Sequence, residues 1–243
     1  MWLPFPLSAR DNYELMRPRR AHIETPDARG DWEIVVLHGW HSTYEPLLRL
    51  DSALREKFPN ARIWKGIYDS HWKTFTRSAR EIRAAMRAHH LEPSRTFLVG
   101  YSMGGVVARS VVANGFAARG VACLATPHLG AAPWLHFADL GSFSISPQSH
   151  RLKNLNRHPL DRARRQDYFF QAFTFTDKLG FCRHDRVVGL RSATGQGLGE
   201  IGEINVKNLR YEGIAPDVHP HLQGMNPACL SECFAWMQSK MAA

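Results

Sequence analysis

The sequence predicts an α/β fold, a mostly parallel central sheet flanked by helices. Two observations carry this. Short apolar runs alternate with segments of helical periodicity from residue 33 onwards. The first run, Glu33-Ile34-Val35-Val36-Leu37, is continuous in its apolar residues and stops at His38-Gly39, as a strand buried on both faces does. Right-handed crossovers then put helices on both faces of the sheet.

Taken in order, residues 1 to 30 are polar and irregular and either wrap the surface or supply one weak strand. Residues 46 to 57 have helical spacing, with Leu47, Leu50 and Leu54 on one side and Pro46 in the first turn. Ala61 to Ile67 reads as a strand. Thr74 to His90 reads as a helix, with Ile82, Ala85 and Met86 inward and Arg77, Arg80, Arg83 and Arg87 outward. Thr96 to Val99 is a third strand, Met103 to Asn114 a helix closed by Gly115, and Val121 to Ala125 a fourth strand. The alternation breaks between 127 and 168, then resumes with strands at Gln171–Thr176 and Glu203–Leu209 and a helix from Pro227 to Met241. No repeat or linker interrupts it, so residues 1–243 read as one domain with an insertion at 127–168.

A chain of 243 residues can bury roughly three quarters of its unfolded surface, and 44% hydrophobic with 22% charged residues excludes disordered, collagen-like and coiled-coil classes. No apolar stretch reaches the roughly 18 residues of a membrane span. Thirty-one Lys and Arg against 22 Asp and Glu give a charge of +9, carried by 24 arginines and 7 lysines. That excess permits an anionic partner without naming one. No zinc finger, aromatic platform or long basic tract points to nucleic acid; Arg17, Arg19 and Arg20 are too short a cluster. Four cysteines are too few and too irregularly placed for a disulfide framework. Cys229 and Cys233 read as core thiols, not as a metal site with His219 and His221, because no recognised ligand spacing is present. The start lacks a basic segment and is broken by Pro4 and Pro6, a poor signal peptide, so a cytoplasmic location is the default expectation.

Chemistry concentrates at Gly100-Tyr101-Ser102-Met103-Gly104-Gly105, between the third strand and the helix that follows it. A strand turning sharply into a helix crowds its backbone, which calls for small residues at 100 and 104. The turn projects the Ser102 hydroxyl above the sheet at a helix N-terminus, where negative charge is favoured.

These residues resemble the α/β-hydrolase superfamily, in its lipase and esterase branch, and the likeness spans most of residues 33 to 241. Leu37-His38-Gly39-Trp40 matches the family's oxyanion turn. The resemblance therefore implies the backbone N–H groups of Trp40 and Met103 as oxyanion donors. Thr126-Pro127-His128-Leu129-Gly130 looks like the T-P-H-x-G segment of many lipases, and Ser149 to Asn156 is similar to a stretch of their cap region. The family's order of serine, acid, histidine leaves Asp167, Asp177 and Asp185 as acids. Asp185, in a segment resembling D-x-V-V…S-A, is assigned first and Asp177 second. His219 is assigned as the base from its H-x-x-L…P surroundings, with His221 as the alternative.

The resemblance implies a serine carboxylester hydrolase acting through an acyl-enzyme on Ser102, without cofactor or metal, on small esters or lipid-like substrates. A thioesterase or acyltransferase would share the nucleophilic step, and a non-catalytic binding protein on the same scaffold would commonly lack one of the three groups. Residues 127–168 would cap Ser102. Trp134, Leu135, Phe137, Leu140, Phe143 and Ile145 either line an acyl pocket or seat the insertion on the sheet. Arg151, Arg157, Arg162, Arg164 and Arg165 there either attract an anionic lipid surface or form a solvated face.

Overall fold

The computed structural model describes residues 20–24, 30–40, 44–131, 139–177, 180–210, 221 and 226–243. Among these, eight strands form one sheet: β1 (His22–Glu24), β2 (Trp32–Leu37), β3 (Ala61–Ile67), β4 (Thr96–Tyr101), β5 (Gly120–Leu124), β6 (Tyr168–Asp177), β7 (Gly180–Cys182) and β8 (Glu203–Arg210). Their order is β1-β3-β2-β4-β5-β6-β7, with β8 on the other side of β6. The run from β3 through β2, β4, β5 and β6 to β8 is parallel. β1 borders β3 antiparallel and is the weak early strand, while β7 folds back antiparallel on the last residues of β6. β6 begins three residues before the sequence pattern places it, because Tyr168, Phe169 and Phe170 already pair with β5. β7 is too short to leave a periodic signal.

The helices are α1 (Tyr44–Lys57), α2 (Phe75–Ala88), α3 (Met103–Ala113), α4 (Leu140–Ser144), α5 (His150–Arg157), α6 (Pro159–Ala163), α7 (Leu190–Ala193) and α8 (Ser231–Ala242). None among the described residues is long and apolar enough to cross a membrane. The continuous apolar runs are explained by two cores. Val35 and Leu37 of β2 pack with α2 and α3, whereas Ile34 and Val36 point the other way, with Leu50 and Leu54 of α1 and Trp236 and Met237 of α8. Alternate residues thus serve opposite faces, and all four are wholly buried. Gly115 ends α3 as its position suggests. Its φ of +90° suits glycine, and its N–H and that of Phe116 return to Val112 and Val111. Pro227–Cys229 forms a separate 3₁₀ turn ahead of α8, so the final helix starts later than the sequence pattern suggests.

Between β5 and β6 lie α4, α5 and α6. Leu152 and Leu155 of α5 join the core on the α3 side. The stronger tie is ionic. Arg109 of α3 and Asp161 of α6 are both fully buried and meet through two bonds, Nε to Oδ1 at 3.1 Å and Nη2 to Oδ2 at 2.8 Å. Arg165 adds Nη2 to Oδ2 at 2.8 Å, and the Tyr168 hydroxyl donates to Oδ1 at 3.1 Å. Burial alone would raise the Asp161 pKa, but the two guanidiniums hold it below the ordinary carboxylate value. Arg165 is therefore an interior residue, not part of a cationic surface. Arg164 is partly buried and paired with Asp167 at 3.0 Å, while Arg151, Arg157 and Arg162 are exposed.

Replacing Asp161 by Ala would leave two buried guanidiniums facing each other. We expect a loss of about 3–5 kcal/mol of stability, a large share of a typical domain's total, measurable as a fall in the urea midpoint. An unchanged midpoint would remove this pair as the anchor of α6 on α3.

Candidate active site

The register places the candidate residues side by side. Leu37 of β2 pairs with Gly100 of β4, Tyr101 with Leu124 of β5, and Leu124 with Gln171 of β6. His38, Ser102 and Ala125 therefore leave the sheet together at the carboxyl ends of its strands, where open α/β sheets hold their ligands.

Ser102 has φ +53° and ψ −123°, a conformation that costs an L residue roughly 1–3 kcal/mol. The surroundings hold it there. Its N–H donates to the Leu124 carbonyl at 2.8 Å, and the backbone closes around it without room for side chains. A Cβ on Gly100 would lie 2.4 Å from the Gly104 backbone, on Gly104 2.2 Å from the Leu37 oxygen, and on Gly105 2.0 Å from Thr126 Oγ1. Ser102 is the N-cap of α3 yet makes no side-chain capping bond, so its hydroxyl is not engaged by the helix. The first-turn N–H groups of α3, Met103 included, start at this serine.

The His38-Gly39-Trp40 turn lies directly against it, since a Cβ on Gly39 would be 3.0 Å from Ser102 Cβ. His38 Nδ1–H donates to the Gly39 carbonyl at 2.8 Å, and the Tyr68 backbone N–H faces Nε2 at 3.3 Å. The Tyr68 ring stacks on the imidazole at 4.0 Å, and its hydroxyl donates to the His38 carbonyl. Burial lowers the His38 pKa against the opposing pull of nearby backbone carbonyls, so the ring is neutral at pH 7. In a trans peptide the C=O and N–H point opposite ways. Holding the Gly39 carbonyl thus turns the Trp40 N–H away from His38.

Asp185 is 1% exposed, which excludes an exposed loop carboxylate paired with Arg183 or Arg186. Its Oδ1 accepts from the N–H groups of Val187 and Val188 at 3.0 and 2.6 Å, and its Oδ2 meets His221 Nδ1 at 2.6 Å. His219 lies outside the described residues; the imidazole seen against Asp185 is His221. The Tyr101 hydroxyl donates to the His221 carbonyl at 2.8 Å, with the two rings 5.0 Å apart. Burial first, and the Asp185 charge second, push the tyrosine pKa well up, so it stays a donor. The acid–imidazole pair is thereby attached to the residue that precedes Ser102. Of the other acids, Asp167 sits before β6, at the opposite end of that strand, and pairs with Arg164 and Lys240. The Asp177 side chain lies outside the described residues.

Three contributors escape a motif reading. Tyr101 carries one hint, an aromatic hydroxyl on a fully buried strand that must find a partner. The His38 side chain works as a backbone clamp. Ser192 Oγ donates to the Gly130 carbonyl at 2.8 Å and accepts from the Leu129 N–H at 3.0 Å, joining the segment after β5 to that carrying Asp185. Trp134, Leu135 and Phe137 lie outside the described residues; Leu140 and Phe143 are more than half exposed and Ile145 is buried. Among the described residues no group of three or more His, Cys, Asp or Glu is placed to hold a metal ion. Cys229 and Cys233 are buried thiols, and burial pushes both pKa values up.

No family model matches this chain, and no curated protein matches it in sequence. Its architecture does have counterparts. The mature lipase BlEst2 of Bacillus licheniformis superposes with a TM-score of 0.67 at 16% identity, over 89% of this chain and 97% of that one. The esterase Pf2001 of Pyrococcus furiosus gives 0.58 at 14%, over 89% and 86%. Carboxylesterase CesB of Bacillus subtilis gives 0.53 at 12%, over 90% and 86%.

Two interior histidines set a pH dependence. Burial lowers His38 below 6.5, and burial with Arg109 and Arg165 lowers His128 well below it. Both bind a proton more readily when unfolded. Their contribution is therefore complete above about pH 6.5 and is lost as pH falls through the lower folded values, by at most about 1.4 kcal/mol per unit for each group. Asp161 and Asp139, held below the ordinary carboxylate value, weaken the fold only near pH 4 and under. Urea midpoints from pH 7.5 to 5 should fall more gently in His128→Asn than in wild type; equal slopes would contradict this.

Proposed function

We propose that this chain, with the α/β-hydrolase fold it shares with those lipases and esterases, is a serine carboxylester hydrolase acting through an acyl-enzyme on Ser102. One observation carries the reading: a strained serine at a helix N-terminus is flanked by a clamped backbone turn and by a strand neighbour bonded to a buried Asp185–His221 pair.

In the proposed reaction His221 Nε2 takes the Ser102 proton as Oγ attacks the ester carbonyl. The tetrahedral oxyanion accepts from the N–H groups of Trp40 and Met103, each such donor contributing about 10²–10³ in rate at comparable sites. As the C–O bond breaks, the imidazolium returns its proton to the departing alcohol. Water, deprotonated by the same imidazole, then releases the acid and restores Ser102. Asp185 accepts from Nδ1–H, leaves Nε2 unprotonated for the chemistry, and stabilises the imidazolium. The base is proposed as His221 in place of His219, because the Asp185 carboxylate meets His221.

The chain is proposed as one domain in which the residue 127–168 insertion caps the site. Exposed Leu140 and Phe143 on α4 favour esters with an apolar acyl part.

Labelling by a fluorophosphonate probe should be strong in wild type and absent in Ser102→Ala. His221→Ala should lower kcat on p-nitrophenyl esters by about 10⁴-fold or more, and His219→Ala by only a few fold. Equal losses in the two histidine variants would undo the base assignment, and an unlabelled wild type would undo the hydrolase reading. Across a panel of acyl lengths, activity confined to acetate would remove the lipid-like substrate class.

A further inference from the structure

The Asp139 carboxylate is where three donors meet. Oδ1 accepts from the Ser142 backbone N–H at 2.8 Å, and both oxygens face the Trp40 indole N–H, at 3.0 and 2.9 Å. Oδ2 also meets His71 Nδ1 at 2.6 Å. Capping α4 explains only the first contact, and a serine or asparagine would cap a five-residue helix as well. Burial penalises this carboxylate, yet His71, the Ser142 N–H and the indole together outweigh that penalty and hold its pKa below the ordinary value. What the extra contacts grip is Trp40, 99 positions earlier in the chain.

His71 is itself fixed. Its N–H donates to Asp69 Oδ1 at 2.9 Å and its carbonyl accepts from the Gly141 N–H at 2.9 Å. The turn after β2, the loop after β3 and the segment after β5 therefore converge on one carboxylate, which holds the indole of the residue that follows Gly39.

We propose that Asp139 and His71 are positioning residues that aim the Trp40 backbone N–H by holding its indole. The proposal rests on the serine-hydrolase reading. His38 holds the Gly39 carbonyl on one side of that peptide, and Asp139 holds the Trp40 side chain on the other. A hydrogen bond weakens steeply as its angle departs from linear, so a loosened turn costs most where the oxyanion develops. Ground-state binding, which does not use that bond, changes little. The loss belongs in kcat.

Trp40→Phe is the cleanest test, because it keeps the backbone N–H and an aromatic ring, removes the indole donor, and leaves the α4 cap intact. Asp139→Asn keeps one acceptor for Ser142 and loses the second. On p-nitrophenyl esters each variant should lose about 10–100-fold in kcat with KM within about threefold, and affinity for an alkyl boronic acid that mimics the tetrahedral adduct should fall in parallel. The double variant should be no more than about threefold worse than the worse single one, since both break one linkage. Fluorophosphonate labelling of wild type against Ser102→Ala comes first. An inert wild type overturns the hydrolase reading and the positioning role with it. An active wild type with kcat unchanged in Trp40→Phe overturns the positioning role alone, as does a loss confined to KM or to thermal stability. Should Asp139→Asn fail to fold, Trp40→Phe decides the matter.

Discussion

The geometry of this edge depends on how closely the start of α3 approaches the ends of β2 and β5. Gly104 sits where any Cβ would strike the Leu37 carbonyl, and Gly105 where it would strike Thr126. That approach forces the backbone into the positive φ of Ser102, and the Ser102 N–H bond to Leu124 keeps it there. Strain of this kind persists only where the surroundings over-determine it. Here the restraint comes from two strands and a helix, each fixed by its own buried face. The hydroxyl is thus held by the whole sheet, with no capping bond to spend it on.

A second constraint acts through α3 from its far side. Arg109 lies two turns along the same helix and is wholly buried against Asp161, while its Nη1 reaches His128 Nδ1 at 3.0 Å and its Nη2 reaches Asn156 Oδ1 at 2.9 Å. One guanidinium therefore joins the helix carrying the serine to the segment after β5 and to both α5 and α6. A buried ion pair is weak evidence for stability by itself. Its multiple partners, each with a defined donor or acceptor, make it a device for holding one arrangement of α5 and α6 against α3. The +9 charge of the chain is accordingly a poor guide to its surface, because some of the arginines are interior structural parts.

What the sequence discloses follows from the range of the forces involved. β2, β4, β5 and α3 are legible because burial on all sides leaves nearly continuous apolar or small residues, α2 because burial of one side imposes a helical period, and the glycines at 100 and 104 because backbone contact admits nothing larger. α4, α5 and α6 are five, eight and five residues long, too short for periodicity to rise above composition. The partners that matter most at the site are far apart in the chain. Tyr101 and His221 differ by 120 positions, His221 and Asp185 by 36, and Trp40 and Asp139 by 99. Residue type can nominate such groups, but only the fold can pair them. His219 and His221 stand two positions apart with one chemistry, and the local H-x-x-L…P pattern that favours His219 carries no information on which imidazole meets Asp185.

Two imidazole–carboxylate pairs, both at 2.6 Å, stand at this edge of the sheet, so the short contact cannot by itself single out a base. Their remaining bonds do. Asp185 directs Oδ1 to two backbone N–H groups and keeps Oδ2 for the imidazole, and Tyr101 ties the backbone of that histidine to the strand that ends at Ser102. Asp139 instead divides its oxygens among a helix N-terminus, an indole and His71, and His71 is fastened by its own backbone to Asp69 and Gly141. A base needs a carboxylate committed to one tautomer of one ring beside the nucleophile. A carboxylate shared among three elements suits holding those elements in register. On that physical distinction the proposed proton transfer belongs to His221, and the His71–Asp139 pair belongs to the turn that would receive the oxyanion.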